Sequence, residues 1–457
     1  MNINRFFSNS KNLMKLAYPI LIAQLIQNLM GFADTVMAGR VSATDMAAVA
    51  VASSVWLPLI LAISGLIMAL ASIISQLSGA NQFDNIAKAS YQTAWIAVFF
   101  SIIIIILYYI ATPLLIDSIA MEPELKQLMF DYLGYIVWGG PGYCLYLVLR
   151  NYSEGLSFSR PTMIISILGL LINIPANYIF IYGEFGMPAL GGAGCGLATA
   201  IVYWVMFAGM LAYAYYSKHL KQAPLFTKFY WPQWSEIKVI LALGTPIAFS
   251  LLFEVSLFAA VAIILIPFGA NVVASHQIAI NFSGLVFMVP LSLAMAVTIK
   301  VGFEVGNKNL EKAKELCRYS VILGLIIAVA TAAATLIFKT QIAAIYTSDT
   351  EVLELAAGLM FLAALFQFSD AIQVISAGAL RGYKDTKSIL YITFFSYWVV
   401  GLSFGLILGL TDWIAPASGP YGFWIGFISG LTVAAVLLAW RLKVVQNRFD
   451  QQAALTS

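Results

Sequence analysis

Three carboxylates stand where their chemistry would be felt most: Asp34, Glu254 and Asp370 each fall well inside a long apolar run. At the centre of a lipid-embedded helix an Asp costs about 2.5–3.5 kcal/mol on insertion scales. No Lys or Arg falls deep enough in those runs to pair with them. Burial favours the protonated acid, whereas a bound cation favours the ionised one. Such a group can therefore hold a proton, a sodium ion or an organic cation, one at a time. That competition couples an ion entering down its gradient to a substrate leaving. Each elementary charge crossing the membrane potential carries about 2.3 kcal/mol per 100 mV. The structural alternative is a protonated carboxyl bonded to a neighbouring helix.

Amides accompany the acids at helical spacing. Gln24, Gln27, Asn28, Gly31, Asp34 and Thr35 form one stripe with three- and four-residue steps. Asn173 and Asn177 flank Pro175, whose missing N–H frees a backbone carbonyl one turn earlier. Gln277 and Asn281 stand four apart, and Gln367, Asp370 and Gln373 three apart. These amides are the candidate polar lining of a substrate path, with interhelical hydrogen bonding as the structural alternative. Other chemistries lack their residues. Cys144, Cys195 and Cys317 are isolated and form no CxxC pair, and His219 and His276 lie far apart. The basic stretches 149–160 and 380–387 carry no GxxxxGK[ST] signature and read as cytoplasmic turns. No cofactor and no ATP drive are expected.

The elements that must position these groups follow from composition. Apolar residues make up 61% of the 457 positions and charged residues only 10%, against roughly 25% charged in a soluble domain. The solvent is lipid, and lipid is the expected surrounding partner. Apolar runs at 14–38, 46–74, 88–115, 126–149, 161–183, 191–216, 238–267, 272–300, 314–338, 352–380, 388–411 and 420–441 predict twelve spanning helices, each good to a few residues. Met1 to Lys15 is short, polar and basic, and reads as the start of a retained first helix. With the N-terminus inside, 21 of the 24 Lys and Arg residues fall on the inner side, leaving Arg40, Lys126 and Lys339 outside. The positive-inside rule thus predicts both termini in the cytoplasm. The net charge of +3 gives no reason to expect nucleic acid.

The chain also reads as a duplication. Leu16-Ala-Tyr-Pro19 recurs as Leu243-Gly-Thr-Pro246, and Gly79-Ala-Asn-Gln as Gly306-Asn-Lys-Asn, both 227 residues later. Ala87-Lys88 recurs as Ala313-Lys314 at 226, and Leu149-Arg150-Asn-Tyr152 as Leu380-Arg381-Gly-Tyr383 at 231. Six spans per half is an even number, so both halves enter the membrane the same way round. The expected architecture is all-α: two six-helix lobes related by a pseudo-two-fold axis along the membrane normal. The lobes are placed at residues 1–220 and 238–457, joined by a cytoplasmic loop at 221–237.

At these residues the chain resembles the multidrug and toxic compound extrusion (MATE) family, in its bacterial NorM branch. Gly31-Phe-Ala-Asp34-Thr-Val-Met-Ala-Gly39 resembles the first-helix motif, and Leu171-Ile-Asn173-Ile-Pro175-Ala-Asn177-Tyr that of the fifth. Phe253-Glu254 matches the acid of the seventh helix, and Ser275-His276-Gln277 with Asn281 the start of the eighth. Asp370-Ala-Ile-Gln373, followed by Leu380-Arg381-Gly-Tyr383-Lys-Asp385, resembles the tenth helix and its loop. The resemblance implies a multi-pass protein of the bacterial inner membrane, expected as a monomer. It implies export of hydrophobic organic cations, such as fluoroquinolones and ethidium-like dyes, by alternating access. It also implies cation coupling at Glu254, Asp370 and Asp34. The acidic pair Glu254 and Asp370 favours Na⁺ as the bound ion, with H⁺ as the alternative.

Three other readings compete. A lipid-linked oligosaccharide flippase would share the architecture but must handle a pyrophosphate, which calls for deep basic residues. An intramembrane transferase would need clustered acids with a metal, or a His–acid pair. A passive channel would need a repeated filter motif. The runs above supply none of these.

Overall fold

The computed structural model describes residues 3–118 and 121–456. All regular structure in those residues is helical. Helices α1 (Ile3–Gly39), α2 (Ala43–Ile67), α3 (Ala69–Gly79), α4 (Phe83–Ser118), α5 (Pro123–Ile136), α6 (Gly140–Gly155), α7 (Arg160–Tyr182) and α8 (Ala193–Tyr216) make the first half. Helices α9 (Trp234–Ile264), α10 (Ala270–Gly306), α11 (Leu310–Tyr346), α12 (Thr350–Gly382), α13 (Thr386–Phe394), α14 (Ser403–Leu410) and α15 (Pro420–Thr456) make the second. In hydrocarbon a helix satisfies every backbone group within its own segment, which is why apolar runs of this length take no other form.

Eleven helical stretches among the described residues are long and apolar enough to cross a membrane. The twelfth expected span, 126–149, is present but broken. It runs as α5, a tight turn at Val137–Gly139, and α6, and each piece is too short to span alone. Pro141 in the first turn of α6 has no N–H to continue the ladder. Gly139 lets α8 approach at the break, where an added Cβ would stand 2.6 Å from the Ala200 Cα.

The duplication is written in the backbone. Helices α2, α4 and α5 begin at residues 43, 83 and 123, and α10, α11 and α12 at 270, 310 and 350, each 227 residues later. After α3 the amide of Asn81 bonds the Ser78 carbonyl and that of Gln82 bonds Leu77. Lys308 to Val305 and Asn309 to Glu304 repeat the pattern 227 residues on. The turn after α6 shows the same, with Ser157 to Glu154 and Phe158 to Ser153 recurring as Lys384 to Arg381 and Asp385 to Leu380. Ser157 and Lys384 even share a positive φ, 70° and 62°. This corrects one sequence match: Leu149-Arg150 does not correspond to Leu380-Arg381. Gly155 corresponds to Gly382, so Arg381 stands at the place of Glu154. The false match was displaced by four residues, about one helical turn, and so kept the same face.

Beyond α7 the offset becomes 228. Leu190 to Phe180 and Gly191 to Ile181 recur as Ser418 to Leu408 and Gly419 to Gly409. One residue has been added in the second half, and the interval that gained it holds a π-helical stretch, Phe395–Leu402, between α13 and α14. A π turn is how a helix absorbs a single extra residue without breaking. Gly401 and Gly405 then lie against Gly426 and Gly430 of α15. An added Cβ at Gly426 would stand 2.6 Å from the Gly401 oxygen, and one at Gly430 2.7 Å from the Ser396 oxygen. Small residues four apart permit this backbone contact in lipid.

By its internal contacts the chain divides into two compact units. The N-terminal unit is Pro19–Ala248. The C-terminal unit is Met1–Tyr18 together with Phe249–Ser457. The core of the first gathers Trp56, Tyr146, Tyr152 and Met206. That of the second gathers Tyr397, Phe423, Trp424 and Phe427.

Candidate functional site

In the N-terminal unit Asp34 sits on the inner stripe of α1, 5% exposed. Asn173 and Asn177, one turn apart on α7, both point their amides at it. Asn177 Nδ2 donates to Asp34 Oδ1 at 2.6 Å and Asn173 Nδ2 to the same oxygen at 3.1 Å. Thr199 of α8 donates its hydroxyl to the other oxygen, Oδ2, at 2.9 Å. Asn177 also donates to Asn173 Oδ1 at 3.2 Å, which ties the cradle together. The two amides and the acid, singled out from sequence, are thus one constellation. Thr199 was missed, and its only signal was a hydroxyl in an otherwise apolar run.

Three donors on one carboxylate favour its charged form, against the burial that favours the protonated one. All the groups involved are buried. Rotating either amide by half a turn exchanges its N–H for its C=O. Asp34, Asn173, Asn177 and Thr199 can then present only oxygens, the donor set that hard cations take.

In the C-terminal unit Asp370 of α12 is 3% exposed, and its Oδ1 has no hydrogen-bond partner. It lines a small cavity of about 10 Å³ with Ser283, Thr331 and Gln367, close to the least volume that admits one water. Gln367 donates to the Thr335 hydroxyl at 3.0 Å, while its own Oε1 and that of Gln373 stay without partners. Glu254 on α9 is half-buried and lies within electrostatic reach of Asp370. Gln277 and Asn281 lie on an exposed part of α10.

Two further residues belong to this neighbourhood. Tyr397, in the π stretch, is fully buried with an unpartnered hydroxyl, and it feels both Glu254 and Asp370. Trp398 Nε1 donates to the Phe253 carbonyl at 3.2 Å, which fixes that stretch beside Glu254. Arg381, in the last turn of α12, is 7% exposed, with Nε and Nη2 unpartnered, and it interacts electrostatically with Glu254. The sequence placed no basic residue deep enough to pair with the acids; Arg381, buried at a helix end, interacts with Glu254 through charge alone. Among the described residues no group of three or more His, Cys, Asp or Glu side chains could hold a metal ion.

The two acidic sites are not copies of each other. In the repeat register Glu254 and Asp370 take the places of Gln27 and Tyr143. Asp34 corresponds to Val261, and Asn173, Asn177 and Thr199 to Gly401, Gly405 and Phe427. Each half is charged where the other is neutral.

Twelve apolar passes in two repeated units, each with a buried carboxylate among amides and hydroxyls, make a membrane transporter and not an enzyme. The chain belongs to the MatE family, whose profile matches residues 19–179 and 246–407, the two halves of the repeat. It is 50% identical to the multidrug resistance protein MdtK of Photorhabdus laumondii, over 98% of each chain. It is 49% identical to the probable multidrug resistance protein NorM of Shewanella oneidensis, over 96% of this chain and 95% of that one. Among solved structures, a MATE protein in a bent conformation matches with a TM-score of 0.88 at 21% identity, covering 98% of this chain and 97% of the other. The eukaryotic MATE transporter AtDTX14 matches with a TM-score of 0.84 at 18% identity, covering 98% and 99%.

Proposed function

We propose that the chain exports hydrophobic organic cations, drugs and dyes of the fluoroquinolone and ethidium kind, in exchange for Na⁺ or H⁺ by alternating access. The names of its relatives at half identity support the multidrug part of this reading. The observation that carries the coupling part is the buried Asp34 carboxylate, held by three donors that can be replaced by a cation's demand for oxygens. Glu254 and Asp370, with Gln367 and Gln373, form the second coupling site, where the acidic pair favours Na⁺. The unpartnered oxygens of Asp370, Gln367 and Gln373 support this, because buried acceptors without donors are costly until a cation or proton arrives. The protein works as a monomer in the bacterial inner membrane, with both termini in the cytoplasm, an orientation the lysine and arginine distribution supports.

The test is ethidium efflux from cells stripped of their own pumps and expressing this chain, with Na⁺ and H⁺ gradients imposed separately. Efflux driven by either gradient is the expected result, and the stronger gradient names the main ion. Absence of efflux with both, in cells whose membranes contain the protein, would overturn the drug assignment.

A further inference from the structure

The segment between α8 and α9, residues 217–233, is the longest connection in the chain, yet it is built rather than slack. Tyr152 of α6 donates its hydroxyl to the Ala223 carbonyl at 2.6 Å. Trp95 of α4 donates to the Tyr230 carbonyl at 3.1 Å, and Gln92 to that of Trp231 at 2.9 Å. The Gln233 amide returns a bond to Gln92 Oε1 at 2.7 Å. Trp231 stacks on Trp95 with ring centres 6.3 Å apart.

Behind this segment lies a cavity of about 200 Å³, walled by Tyr91, Leu145, Val148, Phe207, Leu211 and, from the segment itself, Leu225. The lining is apolar, apart from hydroxyls at its edge. Its rim at Tyr91 is aromatic, and the segment beside it carries lysines. Phe229 and Tyr230 both pack on the Tyr91 ring, at 5.3 and 5.9 Å. The ammonium of Lys228 sits over the Tyr230 ring at 5.5 Å. Lys218, Lys221 and Lys228 are all exposed, and so is Trp231 at 71%. No Asp or Glu occurs between Glu184 and Glu236, and Glu236 is bridged to Lys88 at 2.8 Å. The lysines therefore carry a charge that nothing acidic in this segment offsets.

An apolar slot beside a segment that exposes Trp231 and three lysines suits a phospholipid with an anionic headgroup. Aromatic side chains prefer the headgroup level. Lysines beside them attract anionic lipid within a Debye length. A cationic drug would meet the same rim as repulsion. We propose that this cavity binds an anionic phospholipid, part of one acyl chain inside the slot and the phosphate among Lys218, Lys221 and Lys228 of the adjoining segment. The site is independent of the coupling carboxylates, so it stands or falls apart from the transport reading.

The test uses the full-length chain in nanodiscs of phosphatidylglycerol and phosphatidylethanolamine in equal amounts, with retained lipid counted by native mass spectrometry. Wild type is expected to retain phosphatidylglycerol preferentially. Each lysine near an anionic surface is worth about fivefold in affinity. Lys218→Gln with Lys221→Gln and Lys228→Gln should therefore weaken retention roughly a hundredfold at low salt, and less at high salt. Each single replacement should remove a share, which keeps the test readable if the triple variant folds poorly. Leu211→Trp, at a half-open position of the wall, should expel the bound lipid while leaving the thermal melt in place. Equal retention of both lipids by wild type would overturn the proposal. So would a preference untouched by the lysine changes, or lipid still held by the Leu211→Trp protein. Displacement of the lipid by ethidium would assign the cavity to the exported cation instead.

Discussion

Asn177 on α7 donates a 2.6 Å hydrogen bond to the carboxylate of Asp34 on α1, across 143 residues of sequence. With Asn173 and Thr199 it brings three donors to an acid in a place where an anion is otherwise expensive. The same amides and hydroxyl that donate to the carboxyl can turn their oxygens to face a cation.

The first prediction concerns that cradle. Asn177→Ala removes the oxygen that the turned amide would offer the coupling ion, and should weaken its apparent affinity by about tenfold or more, with Thr199→Val acting in the same direction. Ion-concentration curves for dye efflux in proteoliposomes measure both. Curves that overlay wild type would remove the cradle from the mechanism.

In the C-terminal unit, Asp370→Asn and Glu254→Gln should insert and fold, because each keeps the shape of the side chain and places no ionisable group in lipid. Both should lose coupled export. Melting temperature in detergent, alongside gradient-driven efflux, separates the two effects. Normal export by both variants would withdraw the role given to these acids.

Tyr397→Phe should leave the melt unchanged or slightly raised, since it deletes a buried hydroxyl that has no partner. Its effect should appear only in the ion dependence of export. A fall in the melt with no change in ion dependence would mark Tyr397 as ordinary packing.

Gly426→Ala should destabilise by about 1–3 kcal/mol, the usual cost of overpacking, because its Cβ would meet the Gly401 carbonyl oxygen at 2.6 Å. Gly31→Ala meets nothing within 4 Å and serves as the control. Equal melts for the two variants would mean that α15 can shift away at little cost.

The membrane passes were legible because hydrophobic length is a one-dimensional signal. The pass through Val137–Gly139 shows the limit: its apolar run was clear, but the break depended on Pro141 and on close approach to Ala200. Asp34 and its two amides were legible as types, since acids and amides inside lipid announce themselves. Thr199 was not, because a threonine in a helix commonly satisfies itself on its own backbone. Gln277 and Asn281 share a face by spacing, yet spacing does not say whether that face is covered. Tyr397 was hidden for a different reason. An extra residue turns everything after it by about 100°, so no regular helical wheel assigns it a side.

The unit boundaries fall at Tyr18–Pro19 and Ala248–Phe249, inside α1 and α9 and not in the connection between the halves. Cutting the polypeptide in that connection would leave residues 1–18 covalently attached to the wrong partner, and residues 234–248 likewise. Each fragment would carry a strip of helix that groups by its contacts with the other. Two such pieces made in the same cell would be obliged to find one another, as the halves of a split reporter do, and neither could be expressed alone as a finished six-helix protein.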